Sequence, residues 1–114
     1  MMFDEYSEEM ISLQVDCIMQ QLKALKLLFE NGLQDEIEVD SYLNGIITIL
    51  IELQKEELSS DRLEKLRSIE ELLVNWKNEI IDGSFADLNN PKGYAIDLIN
   101  RMRNSVISVK ELLV

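Results

Sequence analysis

Apolar residues in this chain recur in alternating steps of four and three, and that rhythm admits few folds. Ile11, Val15, Ile18, Leu22, Leu25 and Phe29 form a first stripe, and Val39, Leu43, Ile46, Leu50 and Leu53 a second. Leu66, Ile69, Leu73, Trp76 and Ile80 make a third, and Ala95, Ile99, Met102, Val106, Val109 and Leu113 a fourth. Residues three or four apart share one side of an α-helix, so each stripe reads as a helix with one buried face. Only the isoleucine cluster at Ile46, Ile47, Ile49 and Ile51 has strand-like local propensity. The stripe runs past that cluster at both ends, and length decides for helix.

Punctuation sets the boundaries. The first helix is expected from about residue 4 to residue 31, where Asn31-Gly32 supplies a left-handed stop. Asp4, Glu5, Glu8 and Glu9 crowd its first turns, where the helix dipole favours anions. The second helix starts between Asp35 and Ser41 and runs to near Leu58. Gly45 inside it either admits a neighbouring helix or weakens its own. Ser59-Ser60-Asp61 opens the third, with Asp61 and Glu64 at capping-box spacing, and Gly83 ends it. After a loop over 83–90, Asn90-Pro91 opens the fourth as a cap followed by proline at the first helical position. Trp76 lies on an apolar stripe and reads as a core or rim anchor.

Four amphipathic helices with short connections favour antiparallel neighbours. The expected fold is all-α, a four-helix up-down-up-down bundle. The alternative is a three-helix bundle in which the second and third segments merge into a long bent central element. The 114 residues contain no linker-like stretch, so residues 1–114 read as a single helical domain.

Chemistry is hard to place on this sequence. There is no histidine. A carboxylate-bridged dimetal site would normally use Glu-x-x-His pairs on two helices, and none exists here. Asp87-Leu88-Asn89-Asn90-Pro91 begins like a calcium loop, but Lys92 occupies the position that needs glycine. The serines and Cys17 lack an imidazole base, no spacing marks a Ser–Lys pair, and the four glycines are isolated rather than grouped to cradle phosphate. The expectation is therefore a protein that is not an enzyme, with no metal and no cofactor.

Cys17 is the only cysteine, which rules out an intrachain disulfide or a cysteine-based zinc site. Its neighbours Val15, Ile18 and Met19 make a small buried thiol the expected reading. The first residues are acidic where a secretory signal would be basic, and the apolar run Ile46–Ile51 is too short to span a bilayer. A cytoplasmic setting away from the membrane follows as the expectation.

Charge is the most informative feature. The formal net charge is −11, and it is unevenly spread: residues 1–31 carry −4, 32–58 carry −6, 59–82 carry −2 and 83–114 carry +1. Such a field disfavours nucleic acid and attracts basic proteins. In an antiparallel bundle the start of the first helix lies beside the end of the second. That would gather Glu5, Glu8 and Glu9 with Glu52, Glu56 and Glu57 at one pole, and Asp35, Glu36, Glu38 and Asp40 at the other. These ten acids are the expected partner-binding residues.

The first helix also carries a second seam, Met10, Leu13, Cys17, Ala24, Leu27 and Leu28, well to one side of its main stripe. Two readings follow. The first is a stoichiometric binding protein that masks a basic partner by charge-steered docking, as an immunity protein masks a toxin or nuclease. Size, acidity, helicity and the lack of catalytic groups are similar to that class. The second is a self-associating adaptor or chaperone-like bundle, a homodimer through the first helix.

Overall fold

The computed structural model describes residues 2–32, 35–56 and 58–111, with side chains from residue 9 to residue 110. Four helices occupy that span: α1 Met2–Glu30, α2 Glu36–Gln54, α3 Ser60–Ile81 and α4 Pro91–Glu111. Each packs against two neighbours, α1 and α3 both lying against α2 and α4. The result is a four-helix bundle of 51 × 23 × 20 Å. No strand occurs among the described residues.

The core is built from the four stripes, with Leu98 added and Ile80 only half-buried, while Leu113 lies outside the described residues. Ile11, Val15, Ile18, Leu22, Leu25 and Phe29 of α1 meet the second, third and fourth stripes in one cluster. No polar or charged side chain is buried among the described residues. Each such Leu, Ile, Val or Phe contributes about 1.5–3 kcal/mol relative to exposure. At one end Phe29, Trp76, Phe85 and Tyr94 form an aromatic group, with ring centroids 5.7 Å apart for Phe29–Trp76 and 5.8 Å for Trp76–Phe85. Phe85 thereby ties the 82–90 loop to the bundle. Within that loop the Ser84 hydroxyl and backbone N–H both donate to Asp82 Oδ1, which holds the Asp82 carboxyl below its usual pKa.

Helix ends follow local chemistry. Asn90 Oδ1 accepts from the Gly93 N–H at 3.0 Å, completing the cap expected before Pro91. Gly32 has φ +66, the left-handed conformation expected of a stop there. α1 has no basic residue in its last turn, and Lys92 of α4 supplies the missing cation by donating to the Glu30 carbonyl at 3.1 Å.

Four expectations need correction. The capping residue of α3 is Ser59, whose side chain accepts from the Arg62 N–H, because Asp61 already lies inside the helix. α2 stops at Gln54 rather than near Leu58, since Leu53 is its last core residue and Lys55 caps the helix, its N–H donating to the Glu52 and Leu53 carbonyls. That break separates α2 from α3 and removes the three-helix alternative. Cys17 is exposed, not buried. It sits one residue before Ile18, and one residue is a ~100° turn, which carries it off the core line.

Gly45 faces α1: a Cβ built there would lie 2.9 Å from Gln21 Oε1, the far end of a flexible, half-buried side chain, and Gly45 needs no positive φ. We expect Gly45→Ala to stabilise the fold by up to about 1 kcal/mol, the helix-propensity difference, once Gln21 turns aside. A urea unfolding curve followed through Trp76 fluorescence checks this.

A second prediction concerns alkaline pH. The Tyr94 hydroxyl donates to Glu79 Oε1 at 3.0 Å, and its pKa is raised above the ordinary 10.0, first by burial and then by Glu79. A raised folded-state pKa makes this contribution complete below pH 10 and progressively lost as pH rises through the folded value. Tyr94→Phe should remove that component of alkaline destabilisation, measured as Tm against pH from 8 to 12.

Candidate protein-binding surface

The ten acids expected to bind a partner divide once their positions are known. Glu5 and Glu8 lie on α1, but their side chains are outside the described set, and Glu57 is outside the described residues. Glu9 is exposed near the start of α1. At the other pole, Asp35 is the N-cap of α2, accepting from the Ile37 N–H at 3.1 Å. Asp40 is half-buried in an intrachain network. It accepts from Asn44 Nδ2 at 3.0 Å and lies 3.8 Å from Lys77 Nζ, which also donates to Asn44 Oδ1. Asp35 and Asp40 thus have structural partners. Glu36, Glu38, Glu52 and Glu56 are exposed, and of these Glu52 pairs with Lys55 at 3.1 Å.

The helical repeat then places two of the exposed acids on one line. Gly45 marks the edge of α2 that faces Gln21 of α1. Glu38 and Glu52 are seven residues to either side of Gly45 and share its edge of the helix. Glu56 lies past the end of α2 at Gln54, where the repeat no longer applies. One acid from each expected pole thus lies on the α1-facing edge of α2.

The neighbouring row on α1 is apolar. Met10 is 41% exposed, Leu13 62% and Leu27 49%, with Cys17 exposed between them. Ala24 and Leu28 are half-buried, and Leu28 packs against the core. Most of the second seam is left uncovered by the chain's own helices. Met10, Leu13 and Cys17 span about 10 Å at ~1.5 Å per residue, whereas Leu27, eleven residues after Asp16, lies on the line of that residue, which pairs with Lys110 of α4. An uncharged row beside an acidic row matches the two sides of an amphipathic basic helix.

A second exposed apolar site was not expected from the sequence. Ile37 is 79% exposed and Ile81 70% exposed, and both line a groove between the start of α2 and the end of α3, with Glu36, Asp40, Lys77 and Ile80. The signal was present. Ile37, Asn44 and Ile51 recur every seven residues off the α2 core stripe, as do Arg67, Val74 and Ile81 on α3.

Lys65, Ser68 and Ser105 share an open groove with Asp61 and Glu64. Among the described residues no hydrogen bond joins Lys65 to either serine, so no activated nucleophile is assembled there. No group of three or more His, Cys, Asp or Glu able to hold a metal occurs among the described residues. No described helix is long and apolar enough to cross a membrane. Comparison with known protein families, curated proteins and solved structures finds no match for this chain.

Because Leu13 and Leu27 face solvent, replacing either should leave the fold intact. Leu13→Lys is expected to change unfolding free energy by no more than ~0.5 kcal/mol, whereas Leu22→Ala, in the core of the same helix, should cost about 2–5 kcal/mol. Paired urea titrations measure both.

Proposed function

We propose that this chain is a non-enzymatic binding module that masks a basic protein by docking it on the α1–α2 face. One observation supports this reading above the rest: the exposed apolar side chains Met10, Leu13 and Cys17 of α1 stand beside the edge of α2 that carries Glu38 and Glu52. The apolar row supplies contact area, and the acidic row supplies sign and register. A basic helix with apolar side chains along one side would bury them on α1 and set its Lys or Arg residues over α2. Charge at the rim mainly raises the association rate and rejects acidic competitors, while the buried apolar contacts set the lifetime of the complex.

The mode of action proposed is stoichiometric inhibition, as an immunity protein covers a basic toxin or nuclease. A net charge of −11 accelerates encounter with such a partner. Covering its cationic surface would deny that surface to nucleic-acid phosphates. The module needs no catalytic group for this, and a cytoplasmic setting fits it.

The probe for this reading is a synthetic amphipathic helix with leucine on one side and lysine or arginine on the other, titrated by calorimetry. We expect one-to-one binding that weakens with added salt. Combined Glu38→Lys and Glu52→Lys should raise Kd at least tenfold, and so should Leu13→Lys alone. Unchanged affinity after the double reversal would overturn the assignment of this face.

A further inference from the structure

We propose that the α2–α3 face is where a second copy of this chain docks, about a two-fold axis running parallel to the helices. This goes beyond the binding of a basic partner and uses a different side of the bundle. The face carries Ile37 and Ile81, at 79% and 70% the most exposed of the large apolar side chains in the described residues. Ile51, 45% exposed, and Val74, 38% exposed, continue it. The seven-residue spacing of Ile37 and Ile51 on α2, and of Val74 and Ile81 on α3, keeps each pair on one line of its helix.

Charge selects the occupant. A chain of net charge −11 repels its own copies, so self-contact is tolerated only where the local charge is low. On the α1–α2 face a second copy would bring Glu38 and Glu52 against an identical chain, either against the same acids or against apolar side chains. The α2–α3 face is close to balanced. Glu36, Asp40 and Glu70 stand there against Arg67 and Lys77. Asp40 is already paired with Lys77, and Glu70 accepts from Gln54 Nε2 at 2.7 Å.

Symmetry then sets the orientation. An isologous contact pairs the same patch with itself. With the axis parallel to the helices, α2 lies over the second copy's α3. Ile37 meets the second copy's Ile81, and Asp40 meets the second copy's Lys77, so apolar faces apolar and the ion pair is shared across the interface. With the axis across the helices, Ile81 would instead meet the second copy's Arg67. Each arrangement sets one isoleucine against an Arg67: Ile51, 45% exposed, in the first and Ile81, 70% exposed, in the second. The first is preferred because it keeps the two most exposed isoleucines in contact with each other and shares the Asp40–Lys77 pair across the interface.

The strip from Ile37 to Ile51 is ~21 Å long and two helices wide, smaller than the ~800 Å² per partner of a standard interface. The dimer is accordingly a weak one, formed at high protein concentration.

Sedimentation equilibrium from about 10 μM to about 1 mM tests this. A monomer–dimer equilibrium is expected, weakened at least tenfold by Ile37→Lys and by Ile81→Lys, and unchanged by Leu13→Lys. Both isoleucines are exposed, so circular dichroism should show the variants folded. A monomer throughout, or a dimer that survives Ile37→Lys and Ile81→Lys, overturns the proposal. Orientation is read by cross-linking in a Cys17→Ser background. Ile37→Cys chains mixed with Ile81→Cys chains should form the mixed disulfide on diamide oxidation. Dominant 37–37 and 81–81 products would overturn the parallel axis. Loss of basic-peptide binding with the dimer intact would instead count against the α1–α2 reading alone.

Discussion

The four apolar stripes can be buried only against one another, and this single requirement organises the molecule. Each helix has one side that water disfavours, and the bundle closes all four around a core without a buried polar or charged side chain among the described residues. Such a core has stability but no chemistry. Among the described residues no polar or charged side chain is buried inside it, so the groups open to a partner stand on the outer faces and in the shallow grooves between helices.

Seen in that light, the acidic residues fall into two kinds. Asp35 and Asp40 are held by the fold itself, one as a helix cap and the other in the Asn44–Lys77 network. Their charge is largely answered within the chain. Glu38 and Glu56 have no such partner among the described residues, and Glu52 has only the exposed Lys55, a pairing worth little in water. Keeping like charges in a row costs stability through mutual repulsion. The same residues could be spread over α4, whose segment carries +1, at lower cost. That Glu38 and Glu52 lie instead beside the uncovered apolar row of α1 is what gives them meaning together.

The core was legible in the sequence because burial leaves a periodic trace. Stripes from Ile11 to Phe29 and from Val39 to Leu53 are buried residue by residue as the four-three rhythm implies, and Asn90-Pro91 marks the start of α4 by chain chemistry alone. Surface features were harder. Cys17 sits among apolar neighbours in sequence, yet neighbours in sequence are ~100° apart on a helix, so proximity along the chain misled. Helix ends dominate a linear view, in which the acids form two polar clusters. The alignment of Glu38 and Glu52 through Gly45 depends on which edge of α2 faces α1. Ile37 and Ile81 each stand beside a stripe rather than in one, and only packing tells which off-stripe residues are left uncovered.

The two exposed apolar faces are best understood as a pair under one electrostatic constraint. An apolar patch on a strongly acidic protein can meet either an opposite charge or a copy of itself, and the rim decides which. A rim of unbalanced glutamates favours a basic stranger and penalises a twin, since every glutamate brought to the contact is doubled by symmetry. A rim whose charges are answered within the chain gives no such penalty, and its weak apolar attraction is free to act between copies. The same helix turns its acidic edge toward α1 and its isoleucine edge toward α3, so the two contacts proposed above would lie on opposite sides of α2 and would not obstruct each other.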